Sequence, residues 1–176
     1  MNNNVILARE VKAGREIILM GKGIGFGKKK GCIAEIPVAS IEKSFVAGNE
    51  TLKDSYMRML EEVNGNVVEV CTKILLIAEE EFGQLSERSF IVIVDHISFA
   101  IEKLKKEILI ENPFSAEIEQ LYPKEYAIGQ YARKLILKRL KVDVTEAEVG
   151  FIALHLHAAR QNKGVKEALK LSLIHI

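Results

Sequence analysis

Long apolar runs are missing from this sequence. None approaches the ~18–20 residues needed to cross a bilayer, and the start, Met1-Asn2-Asn3-Asn4, lacks the layout of a signal peptide. A cytoplasmic protein without membrane insertion is expected. Cysteine is scarce as well: Cys32 and Cys71 lie far apart and match no metal or redox spacing, so reduced thiols are expected rather than a disulfide framework. Internal repeats and low-complexity segments are absent. No serine–histidine–acid ordering, paired glycosidase-like carboxylates or metal-ligand cluster stands out. Neither an enzyme, nor a cofactor, nor a metal site is therefore expected.

Charge of one sign is also nearly absent overall, with a formal net of +1. The balance hides an asymmetry. Residues 1–50 hold eight Lys/Arg against five Asp/Glu, a net of +3, and the remainder holds 17 against 19, a net of −2. This pattern supports a basic face on the first segment rather than a basic arm. At 176 residues and 48% apolar content the chain has room for one domain or two small ones with real cores.

What is present falls into two periods. Val5-Ile6-Leu7 and Ile17-Ile18-Leu19-Met20 are short branched runs separated by the turn-like Lys12-Ala13-Gly14-Arg15, and residues 41–46 suit a further strand. Roughly four short strands are expected in the first ~47 residues. So small a unit buries little surface, and pairing with a second copy is the simplest supply. After Gly48-Asn49-Glu50 the period becomes helical. Leu52, Tyr56, Met59 and Leu60 form one stripe, and Val67 to Ala78 form another that Phe82-Gly83 ends. Helices at about 86–105, 115–140 and 145–160 follow, the last opened by a Thr145…Glu148 capping box. Pro123 interrupts the start of the fourth. The expectation is an α+β chain of two domains: a small antiparallel β unit over 1–49, an all-α bundle of five helices over 50–170, and a tail at 171–176.

The run Gly21-Lys22-Gly23-Ile24-Gly25-Phe26-Gly27-Lys28-Lys29-Lys30 is the most informative stretch. It fails as a dinucleotide fingerprint, because Phe26 stands where the third glycine is needed and no helix follows. It also lacks the GK[ST] ending of a phosphate loop. Two readings stay open: a glycine-rich turn with a solvated lysine cluster, or an RNA-contacting loop where the backbone approaches the sugar-phosphate chain and Phe26 stacks on a base. Asn2, Asn3 and Asn4 can read base edges or simply form a turn. His96 and His155 sit on mostly apolar helical stretches, where histidine is ordinarily a boundary residue. Histidine can also act as a nitrogen nucleophile or phosphate acceptor near neutral pH.

The glycine–phenylalanine–lysine run, the asparagines and Ser40-Ile41-Glu42-Lys43-Ser44-Phe45 together resemble bacterial sugar-operon transcriptional antiterminators of the β-glucoside and sucrose type. The helical part resembles their first PTS-regulation domain, with Asp95-His96-Ile97-Ser98-Phe99-Ala100-Ile101 and Glu148-Val149-Gly150-Phe151-Ile152-Ala153-Leu154-His155 matching its two histidine motifs. The resemblance implies a dimeric co-antiterminator domain that binds a partly mismatched RNA hairpin and so prevents a terminator from forming. Carried over by position, Asn4, Gly21, Lys22 and Phe26 are the principal RNA contacts, with Asn2, Lys28 and Lys29 beside them. His96 and His155 are then phosphorylated through the sugar phosphotransferase system, whose enzyme II permease and HPr are implied partners. Lys22 stands where many relatives carry arginine, which removes the bidentate fork from that contact. Relatives also have a longer first strand and a second regulation domain. The competing expectation is a truncated regulatory or dimerising protein that accepts phosphate, or docks PTS components, without binding RNA.

Overall fold

The computed structural model describes residues 3–46 and 50–174. Its packing divides the chain into two compact units, Met1–Thr72 and Lys73–Ile176.

The first unit contains an antiparallel sheet of three strands among the described residues, in the order β1-β2-β3. Strands β1 (Val5–Arg9) and β2 (Glu16–Met20) form a hairpin in which Val5 faces Met20 and Arg9 faces Glu16. Its turn closes through Gly14 N donating to Glu10 O at 2.8 Å, with Gly14 at φ +66°. Strand β3 (Lys43–Val46) pairs with β2, placing Phe45 opposite Ile18. Val5, Ile18, Leu19, Met20 and Phe45 are buried. Helix α1 (Glu50–Glu62) adds Tyr56, whose ring lies 5.6 Å from that of Phe45, and Lys53, whose ammonium is 2.6 Å from Glu16. The hydrogen bond from Lys53, with a second from Arg9, holds the Glu16 carboxyl below its usual range.

The fourth strand expected here does not form among the described residues. The connection from β2 to β3 holds reverse turns and a short 3-10 helix, Val38–Ser40. Three adjacent lysines, Gly31 at φ +81° and Pro37, which has no amide hydrogen, all work against a ladder there. Ile33 stays 92% exposed as a result.

Six α-helices occur among the described residues rather than the five expected. Helix α2 (Gly65–Phe82) crosses the division between the units, and α3 spans Glu87–Lys105. The anticipated helix at 115–140 is two, α4 (Ser115–Leu121) and α5 (Pro123–Leu140). The ring of Pro123 excludes helical geometry at the preceding residue, so Tyr122 sits at φ −129°, ψ 54°, and α5 restarts with proline at its first position. Helix α6 runs Glu146–Ile174, well past the expected end near 160. It packs on α3, α4 and α5, and Ile118, Tyr126, Val149 and Ala153 form one apolar cluster among them. At Gly129 an added Cβ would come within 2.8 Å of the Val149 carbonyl oxygen, so glycine lets α5 approach α6 closely.

Candidate functional sites

The glycine run forms a chain of reverse turns. Ile24 N donates to Gly21 O at 3.1 Å, Phe26 N to Gly23 O at 2.9 Å, and Lys28 N to Gly25 O at 3.2 Å. Gly23 and Gly27 take φ of +67° and +70°, where a side chain would strain the backbone. The segment before β1 fastens the turns. Gly21 N donates to Asn4 O at 2.9 Å, Gly25 N to Asn3 O at 2.8 Å, and Gly23 N to the side-chain oxygen of Asn4 at 2.8 Å. Asn4 also reaches Gly65 O through Nδ2, at 3.5 Å. Ile24 is buried and anchors the loop, whereas Phe26, two residues on, is 76% exposed.

The residues singled out from sequence separate into distinct positions. Lys22, Gly23, Phe26, Asn3 and Asn4 line one open groove, which Asn64, Gly65, Asn66 and Glu69 complete. Gly21 is buried instead, and a Cβ there would fall 1.9 Å from Ser40 O. It shapes the loop by letting two backbones touch. Lys29 is exposed and Lys28 half-buried. Asn2 lies outside the described residues. Sequence reading missed the contribution of Asn64–Glu69 because nothing in a capped helix start announces which loop lies opposite. Asn64 itself begins α2, its side-chain oxygen accepting from Asn66 N at 2.9 Å.

In the second unit, α3 and α6 bring His96 and His155 together. Their ring centroids are 4.7 Å apart, and the Phe151 ring meets His96 edge-on at 6.0 Å. His96 Nε2 lies 3.0 Å from Glu148 Oε2. Both atoms are buried, and the pair is an ion-pair approach without the alignment of a hydrogen bond. Glu148 is the residue that the capping-box reading placed at its own helix start. Its backbone N does reach Thr145 Oγ1, at 3.4 Å, but its carboxylate turns into the protein toward His96. Burial holds His155 below the ordinary histidine pKa. The neighbouring His96 adds to this, while Glu148 opposes it. The ring is thereby biased toward the neutral form that carries a free lone pair.

A third cluster went unread in the sequence. Glu125, 3% exposed, has Oε1 at 3.1 Å from His157 Nδ1 and 3.3 Å from Arg160. Burial raises its pKa, but hydrogen bonds from His157, its own backbone and Arg160 outweigh that and leave it low. His157 stacks on Tyr122 at 4.0 Å, and Arg160 lies over the Phe82 ring at 5.0 Å. Every member has a partner, so this cluster reads as a structural tie between α5 and α6. Among the described residues no group of three or more His, Cys, Asp and Glu is arranged to hold a metal ion, and no helix is long and apolar enough to cross a membrane.

Comparison with known proteins places both sites in context. A model of the CAT RNA binding domain matches residues 1–54, and a model of the PRD domain matches residues 49–159. Protein GlcT of Staphylococcus saprophyticus is 36% identical over 168 residues, 95% of this chain and 59% of that relative. Transcription antiterminator LicT of Bacillus subtilis is 31% identical over 175 residues, 99% of this chain and 62% of LicT. The β-glucoside operon antiterminator of Dickeya chrysanthemi is 34% identical, with 99% and 61% covered. The chain thus spans about three-fifths of the length of these curated relatives. A crystal structure of GlcT CAT-PRDI superposes with a TM-score of 0.79 at 33% identity, covering 90% of this chain and 94% of that one. With a model of the CAT RNA binding domain matched at its start and a model of the PRD domain over most of the rest, this chain belongs to the PRD domain family.

Proposed function

We propose that the chain is a cytoplasmic RNA-binding transcriptional antiterminator that stabilises a hairpin in the leader of a sugar-utilisation operon. Residues 1–49 hold the RNA, and residues 50–170 receive phosphate on His96 and His155 from the phosphotransferase system, through HPr or an enzyme II permease. It acts by binding rather than by catalysis. The observation that carries this reading is Phe26, left 76% exposed on a turn in which Gly21, Gly23 and Gly25 are each hydrogen-bonded to the segment before β1. Exposing so large a ring forgoes roughly 1.5–3 kcal/mol of burial, which a turn of purely structural purpose has no reason to give up. Lys22 stands beside it in the same groove, offering a cation to phosphate next to a stacking face.

Asn4 has a double position: its side-chain oxygen sets the loop, and its carboxamide borders the groove. The small three-stranded sheet leaves β1 and β3 as edges, which supports pairing with a second copy. The pairing of His96 with a buried carboxylate, and the neutral bias of His155, support phosphate acceptance at those rings. The test is a gel-shift titration of the purified chain against a bulged RNA hairpin at two salt concentrations, with duplex DNA alongside. Salt-sensitive binding selective for the RNA is the expected result. Equal affinity for both, or none, would leave only a phosphate-accepting regulator.

A further inference from the structure

We infer that His96 and His155 form a single acceptor site, so that one phosphoryl group occupies one ring or the other and never both in the same molecule. The inference rests on the reading that these histidines accept phosphate, and goes beyond it by setting the stoichiometry. Three observations carry it. The two rings touch, with centroids 4.7 Å apart. The buried carboxylate of Glu148 already stands 3.0 Å from His96. The Phe151 ring packs against His96 at 6.0 Å, and the His96 side chain is only 15% exposed.

A phosphoryl group brings about −1.5 to −2 charge. The first finds an electropositive edge on its imidazolium. A second would put two near-dianions and a carboxylate into one half-buried pocket, where water screens them poorly.

The chemistry balances on this chain's own atoms. A neutral imidazole attacks phosphorus through its lone pair, the N–P bond of the donor breaks, and the donor nitrogen leaves with that electron pair. The acceptor ring becomes an imidazolium with its remaining N–H on the other nitrogen. With the N–H of His96 on Nε2, the nitrogen that approaches Glu148, the attack comes from Nδ1 and the new positive charge meets a negative one. His155, held toward its neutral form, also has an available lone pair.

The experiment treats the full chain with phosphoramidate, a small N–P donor whose leaving group is ammonia, and sequences the intact chain by mass spectrometry. Exhaustive reaction should give molecules carrying phosphoryl on His96 or on His155, and none carrying both. The H96Q and H155Q chains should each still accept one group at the remaining ring. A wild-type molecule modified at both rings overturns the inference, and so does labelling confined to one ring in every chain. No labelling at either ring in any chain would instead remove histidine phosphorylation itself. The wild-type measurement stands even where a variant fails to fold.

Discussion

Glu148 Oε2 lies 3.0 Å from Nε2 of His96, across two different helices, α6 and α3. Glu148 thereby sets a carboxylate at one edge of the ring, where it would stabilise a cation formed there by the proposed phosphoryl transfer. In an H155Q background, E148Q should slow phosphoryl acceptance by His96 about tenfold or more, because it removes the negative charge beside the imidazolium that forms. A melting curve of the same variant separates charge from packing, since a loss of packing would lower the melting temperature along with the rate. An unaltered rate would reduce Glu148 to a buried side chain of no chemical consequence. E148A is the less informative variant, because a buried nitrogen left without any partner costs about 1–3 kcal/mol of stability.

Phe26→Ala should weaken binding to a bulged hairpin by ~1–3 kcal/mol, the range for a lost base–aromatic stack. Because the ring is 76% exposed, thermal unfolding should scarcely move. Fluorescence anisotropy with labelled RNA, together with a melting curve, checks both halves. Unchanged affinity would remove the stacking role and return the loop to a plain turn.

The glycines of the same loop divide into two kinds. Gly21→Ala forces a Cβ to within 1.9 Å of Ser40 O, an overlap that flexible side chains cannot relieve because the obstacle is backbone. Its cost should exceed that of Gly23→Ala, whose Cβ meets nothing within 4 Å and whose penalty is the left-handed backbone alone, about 1–2 kcal/mol. Urea unfolding of the two variants gives the order directly. Equal midpoints would contradict the close approach of Gly21 to the 3-10 turn.

Much of this was legible in the sequence, and the failures have a common cause. Branched pairs at 5–7 and 17–20 with a Gly14 turn between them are enough for a hairpin, and apolar spacing shows which residues of α2 and α3 are buried. Periodicity reports a residue's face, not what stands opposite it. Glu148 satisfies a capping-box spacing, yet its carboxylate goes to His96, since a buried partner across the bundle outweighs a local cap. Asn64 and Asn66 begin a helix in sequence and border the groove of Lys22 and Phe26 in space. Pro123 was visible as an interruption, but only the backbone of Tyr122 shows that it divides the helix in two.

His155 supplies a prediction in pH. Burial, with His96 beside it, lowers its pKa in the folded chain below the ordinary value of about 6.5. Above that value the ring is neutral in both states and contributes no slope. As pH falls through it, the unfolded chain takes up a proton that the folded chain resists, so the folded state loses ground until the lower, folded pKa is passed. Wild-type stability should therefore decline on acidification from neutral pH, and H155Q, which has nothing to protonate there, should decline less over the same interval. Melting temperatures of both chains measured between pH 8 and about pH 5 decide the matter. Parallel curves would show that His155 is as easily protonated in the fold as out of it, and the neutral lone pair assigned to it would be lost.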